Sequence, residues 1–188
     1  MRQRKIIKVL LILTVIMILL VVGSVKIAKS VYPLKYSNSI KSYAKKYNLD
    51  PILVASVINT ESKYNPKAKS SKNALGLMQI TPSTAEWAAK EMKTASFNTD
   101  MLYDPEFNIN MGCWYLGNLK TEFKDDIDLV LAAYNGGRGN VKKWLSDANC
   151  SKDGVKLNYI PFKETDEYIK RVKVNYNIYK FLYTKEFK

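Results

Sequence analysis

Val54, Val57 and Ile58 recur at helical spacing, and the next position on their stripe is taken by Glu61. An acid placed there points where a core residue would point. It also falls in the last turn of its helix, where the macrodipole is negative. Burial and that dipole both disfavour a carboxylate and raise its pKa. A carboxyl held protonated near neutral pH is what a general acid requires. The plainer alternative is a solvated glutamate at a frayed helix end. The chain of 188 residues contains no histidine. Ser-His-Asp and Cys-His catalysis and histidine-based metal sites are therefore excluded. Proton chemistry falls to Glu, Asp, Tyr, Lys or Cys.

The residues after Glu61 form an ordered series. Glu61-Ser62-x-Tyr64-Asn65-Pro66 is followed by Ser70, then by Gly76-Leu77-Met78-Gln79-Ile80 and a proline. Asp104-Pro105-x-x-Asn108-Ile109-x-x-Gly112-x-x-Tyr115-Leu116 comes next, then Ala133-Tyr134-Asn135-Gly136-Gly137, then Glu164-Thr165-x-x-Tyr168. Each piece alone is weak. Together, in this order and at this spacing, they resemble the lytic transglycosylase family of the soluble, goose-lysozyme-like type, over about residues 37–183.

That resemblance implies a substrate and a mechanism. The substrate is the glycan strand of peptidoglycan, cut between N-acetylmuramic acid and N-acetylglucosamine. Glu61 holds the position of the family's single acid/base. It would protonate the leaving glycosidic oxygen, then as a carboxylate take the proton of the muramoyl C6 hydroxyl. That hydroxyl closes on C1 and forms a 1,6-anhydro ring. The attack is intramolecular, so one carboxylate suffices where ordinary glycosidases use two. No metal or cofactor is implied. Ser70 and Gln79 align with groups that hydrogen-bond substrate near the cleavage point. Tyr134 aligns with a tyrosine facing the acid, and Asn135 belongs to the same motif. Glu164 aligns with a second acid lining the groove. Met78 reads either as groove wall or as core. Gly76, Asn108, Gly112, Tyr115 and Tyr168 read as packing and backbone residues.

Two positions depart from the family pattern. Thr81 precedes Pro82 where many members have Met, and Gly136 follows Ala133-Tyr134-Asn135 where Ala is common. Two other functions stay open at this point. A hydrolytic muramidase would need a carboxylate to activate water, and Asp100, Asp104 and Glu106 are candidates. A non-catalytic wall-binding module would need no acid at all. Nucleic-acid binding rests on charge alone and has no recognisable motif.

The elements that must carry these residues are mostly helices. Ile40, Tyr43, Ala44 and Tyr47 predict an amphipathic helix. Asp50-Pro51, Thr81-Pro82 and Asp104-Pro105 each pair a capping residue with a proline suited to the first helical position. They predict helices ending near Ser62, Met92 and Phe123. A further helix spans Ile127–Tyr134 and stops at Asn135-Gly136-Gly137. A short one covers Asn140–Leu145, and a long one runs from Glu164 to about Tyr183. Ala74–Ile80 reads as a buried strand or extended loop. The expected architecture is α+β but mostly α-helical, a lysozyme-like domain over residues 39–188. A linker at 31–38 and a basic tail with a transmembrane anchor at 1–30 precede it.

The anchor rests on Val9–Val25, an uncharged run bounded by basic residues. It is at the short end for a spanning helix and slightly long for a signal-peptide core. It reads as an uncleaved signal anchor. Cleavage near Val22-Gly23-Ser24 or Ala28-Lys29-Ser30 is the alternative. The basic N-terminus predicts a cytoplasmic tail, with the globular part outside a bacterial cell membrane. Of the net charge of +13, seven charges lie within residues 1–35, where there is no acid. The globular part is thus only modestly basic, which suits a polyanionic surface without selecting one. Cys113 and Cys150 could pair in an oxidising compartment, or serve as small buried apolar side chains. The expected partners are glycan strands and the membrane, with no nucleic acid.

Overall fold

The computed structural model describes residues 2–187. Met1 and Lys188, the outer ends of the expected tail and domain, lie outside the described residues, as do the side chains of Arg2, Lys5 and Val9. The chain divides into two compact units, residues 1–34 and 35–188.

The first unit is one helix, α1 (Arg2–Val31). It contains a stretch, Ile6–Val31, long and apolar enough to cross a membrane by length and composition. Its exposed apolar side chains range from 46% for Ile16 to 68% for Leu20. A helix that is apolar on every side and leaves these side chains exposed is suited to lipid rather than water.

The second unit holds α2 (Ser37–Lys46), α3 (Pro51–Ser62), α4 (Pro82–Glu91), α5 (Pro105–Glu122), α6 (Ile127–Gly136), α7 (Arg138–Leu145) and α8 (Lys163–Tyr183). A 3₁₀ turn, Thr99–Tyr103, precedes α5 and has no counterpart in the sequence reading. The three cap-then-proline signals work as expected. The side chains of Asp50, Thr81 and Asp104 accept from the backbone N–H groups of Ile52, Thr84 and Phe107. The short helix expected from Asn140 starts earlier, at Arg138, because Gly137 ends α6 and opens α7 at one residue.

The β component is slight. Among the described residues, Ala74–Ile80 forms a tight turn with isolated bridges, Lys69 to Leu75 and Leu75 to Ile80. Gly76 makes the turn possible. Its φ is +75°, and a Cβ there would collide with the Leu102 carbonyl and the Asn108 side chain.

At the centre lies α3, which packs against α8 and α2. The apolar stripe expected on it understates its burial: every residue from Ile52 to Asn59 is buried. Its buried Ser56 follows the rule for buried polar groups. The hydroxyl donates to the Ile52 carbonyl at 2.6 Å. The helices α5 and α6 pack on each other, and α6 also meets α7 and α8. Aromatic rings connect these layers. Trp87 of α4 meets Trp114 of α5 edge-on at 5.0 Å, and Tyr115 of α5 lies 5.4 Å from Tyr134 of α6. Trp144 is buried against Phe162 at 5.0 Å. The tryptophans thus make contacts between elements. Cys113 and Cys150 are both buried and unpaired, which is the apolar side-chain reading.

Candidate active site

The cleft is built where the buried helix α3 reaches the surface. Its last turn ends at Lys63, which adopts a left-handed conformation with φ 50°. Ser62 then fastens this end to the following loop, its hydroxyl donating to the Leu77 carbonyl at 2.8 Å. Glu61 is therefore held on a helix that cannot shift without disturbing the core.

A cleft of about 260 Å³ opens over Glu61. Ser70, Gln79, Tyr134, Asn135 and Glu164 line it with Glu61, as do Ser71, Lys72 and Thr81. Six of the seven site residues expected from sequence are thus brought together. Met78 is the exception: its side chain is fully buried, packed against Gly112, and does not line the cleft. Its sequence neighbour Gln79 reaches the cleft because its backbone turns left-handed, with φ 49°. Met78 acts through its main chain instead. Its N–H donates to Asn108 at 2.7 Å, and its carbonyl accepts from the Tyr134 hydroxyl at 2.7 Å.

Each wall has a physical anchor. Asn108, fully buried, also donates its amide N–H groups to the carbonyls of Leu75 at 3.0 Å and Leu102 at 2.9 Å. One side chain thereby satisfies two backbone groups of the turn that presents Gln79 and ties it to the 3₁₀ turn through Leu102. The Gln79 amide nitrogen donates to the carbonyls of Ala68 and Gly76, so its oxygen is the end able to accept from a ligand. The Ser70 hydroxyl accepts from the N–H groups of Lys72 and Ala74, which shapes its loop. Asn135 accepts from Thr165 at 2.8 Å and ties α6 to α8. Gly136 suits this joint, since a Cβ there would lie 2.9 Å from the Thr165 hydroxyl and 3.2 Å from Trp144.

Glu61 is partly buried, and its pKa is raised to about 7. Burial is the main cause. Tyr168 and Arg171 pull it back down, and Glu164 adds to the rise. Burial pushes the pKa of Tyr134 and Tyr168 upward, and the negative charge of Glu61 reinforces it, so both stay neutral phenols. Tyr168 is the residue the sequence reading placed in packing alone. Its hydroxyl is buried, has no hydrogen bond of ordinary geometry, and interacts electrostatically with Glu61. Arg171 was not singled out. One helical turn beyond Tyr168, it shares the α8 side that meets Glu61, a signal visible only once α8 is known to pack on α3.

The three carboxylates considered for water activation lie elsewhere. Asp104 caps α5, Glu106 accepts from the Tyr43 hydroxyl at 3.0 Å, and Asp100 sits in the 3₁₀ turn. None of them lines the cleft. The arrangement is a carboxyl of raised pKa in a polar cleft with one further acid at its rim. Among the described residues no cluster of His, Cys, Asp or Glu could hold a metal ion.

Comparison with known proteins places this fold. The transglycosylase SLT domain family matches residues 38–155, and the chain belongs to that family. The soluble lytic murein transglycosylase of Escherichia coli K12 is 36% identical over 143 residues, covering 75% of this chain and 22% of the relative. The membrane-bound lytic murein transglycosylase C of Shigella sonnei is 35% identical over 122 residues, covering 60% of this chain and 34% of the relative. The crystal structure of the 70 kDa soluble lytic transglycosylase of Escherichia coli superimposes with a TM-score of 0.71 at 32% identity, covering 82% of this chain and 25% of that one. The chain thus spans only about a fifth to a third of the length of these relatives. The family match ends before α8, although α8 supplies Glu164 to the cleft and carries Tyr168 and Arg171, whose influence reaches Glu61.

Proposed function

We propose that the protein is a peptidoglycan lytic transglycosylase that cleaves the N-acetylmuramic acid–N-acetylglucosamine bond and leaves 1,6-anhydro-muramoyl ends. The observation that carries this reading is Glu61, a carboxyl with its pKa raised to about 7 at the floor of a polar cleft. A residue poised near neutrality can give a proton and take one back in the same turnover. As the acid, Glu61 protonates the departing glycosidic oxygen while positive charge develops at C1. As the base, it takes the proton of the C6 hydroxyl, which closes on C1 from within the same sugar. Tyr134 stands beside Glu61 as a neutral phenol whose hydroxyl is committed to the Met78 carbonyl. It therefore positions the cleft rather than exchanging protons. Ser70, Gln79 and Asn135 hold sugar substituents, and Glu164 binds strand groups at the rim. The cleft lacks Asp100, Asp104 and Glu106, which weighs against a water-activating pair.

The apolar helix Ile6–Val31 and the membrane-bound relative support anchoring in a cell membrane. We place the basic N-terminal residues in the cytoplasm and the globular unit outside, by the positive-inside rule. Digestion of purified sacculi with the wild type and with Glu61→Gln tests the function. Mass spectrometry after borohydride reduction should find non-reducible muramoyl ends, absent with the variant. Reducible ends would make the enzyme a hydrolase.

A further inference from the structure

The cleft has a single cation among its lining residues, Lys72, and the proton chemistry above does not use it. Its ammonium pairs with Glu164 at 2.9 Å. The two residues lie 92 positions apart in the chain, so the pair joins the loop wall of the cleft to the α8 wall. Both side chains are open to solvent, 70% and 62% exposed. An exposed pair of this kind is held weakly, so a strand entering the cleft can part it at little cost.

The backbone under Lys72 is fixed. Its N–H donates to the Ser70 hydroxyl at 3.2 Å, and that of Ala74 donates to the same oxygen at 3.0 Å. The N–H of Asn73 donates to the Ser70 carbonyl at 3.0 Å. The ammonium is thus a point charge swinging on a flexible stem from a rigid root.

We propose that Lys72 exchanges Glu164 for a carboxylate of the substrate strand, and so selects anionic strands over neutral ones. The inference rests on the transglycosylase reading above. Parting the pair leaves Glu164 as an uncompensated negative charge in the cleft that already holds Glu61. A neutral sugar hydroxyl would leave the Lys72 ammonium with no anionic partner, whereas an incoming carboxylate gives it one in place of Glu164. Glu164 is then released to accept N–H or O–H groups of the strand. Its freed charge also strengthens the influence that already favours the protonated form of Glu61. Two carboxylates meet the requirement. The lactyl group of a muramoyl unit is a free acid where the strand carries no peptide, and the stem peptide carries carboxylates of its own.

The test uses the full chain in detergent, as wild type, Lys72→Met and Lys72→Arg. Each is assayed on peptide-free strands with the lactyl acid free or converted to its methylamide. Each is also assayed on peptide-bearing strands with stem carboxylates free or amidated. The wild type should show a KM about two- to fivefold lower for the free acid in one of these pairs. Lys72→Met should abolish that preference by raising KM on the acid while kcat holds, and Lys72→Arg should keep it. The pair in which the preference disappears identifies the source of the carboxylate. An unchanged KM in Lys72→Met overturns the proposal. A lowered KM on all four strands also overturns it, because Lys72 would then only compete with substrate for Glu164. If the wild type forms no anhydro ends on any strand, the transglycosylase reading itself fails, and this inference with it.

Discussion

Glu61 costs the protein stability in return for its proton affinity. Its pKa is about 7 in the folded chain against 4.5 for an unperturbed glutamate. The folded state therefore binds more protons than the unfolded state between those values, and stability falls as pH rises through that window. The expected consequence is that Glu61→Gln is more stable than the wild type at pH 8, by about 1–3 kcal/mol after allowing for partial exposure. The difference should vanish near pH 4, where both forms are neutral. Urea denaturation of the two proteins at these pH values checks it, and equal midpoints at pH 8 would show that Glu61 ionises freely. The position of Glu61 on its stripe was legible in the sequence, and so was the direction of its shift. The influences of Tyr168 and Arg171 were not. They lie more than a hundred residues away in the chain, and only the packing of α8 on α3 brings them to the site.

The turn between α3 and α4 is the element on which the site depends. It has little regular structure of its own, only isolated bridges. Asn108, reaching in from α5, satisfies the Met78 N–H and the carbonyls of Leu75 and Leu102. Removing it leaves the buried Met78 N–H unpaired and takes a donor from the carbonyls of Leu102 and of Leu75, the latter keeping the Ile80 N–H; each buried group left unpaired costs about 1–3 kcal/mol. Asn108→Ala should therefore destabilise the protein by about 3 kcal/mol or more. It should also raise KM, because Gln79 follows directly on the freed Met78. Calorimetry and steady-state kinetics on one sample separate the two effects; an unchanged melting temperature would mean the turn holds itself. A second joint ties α5 to α7, where Glu122 pairs with Arg138 at 2.9 Å and Lys142 at 2.7 Å. Its carboxylate is only 14% exposed, so this pairing is better shielded than the rim pair Lys72–Glu164.

At the scale of the whole molecule, the chain divides into the unit that holds the apolar helix, residues 1–34, and the globular unit, residues 35–188. The exposed apolar side chains of Ile6–Val31 have no protein surface to cover them within their own unit. Lipid is the medium that relieves this exposure, and a span of this length is long enough to cross a bilayer. The full chain should sediment with membranes, resist extraction by alkaline carbonate and dissolve in detergent. Residues 36–188 should stay in the soluble fraction. Release of the full chain by carbonate alone would show a surface attachment instead of a span.

Local chemistry reads directly from sequence, and this chain has much of it. The capping pairs Asp50-Pro51, Thr81-Pro82 and Asp104-Pro105 set three helix starts, because a cap and a fixed proline φ act within a few residues. The apolar run of α1 and the ordered motifs around Glu61 are equally local signals. Tertiary structure decided what depends on distant partners. It buried α3 on every side rather than along one stripe, and it sent the Met78 side chain into the core while turning Gln79 into the cleft. It also set Lys72 against Glu164 across the opening. Periodicity reports which way a residue points along its own element, but burial and charge pairing depend on what another element brings to meet it.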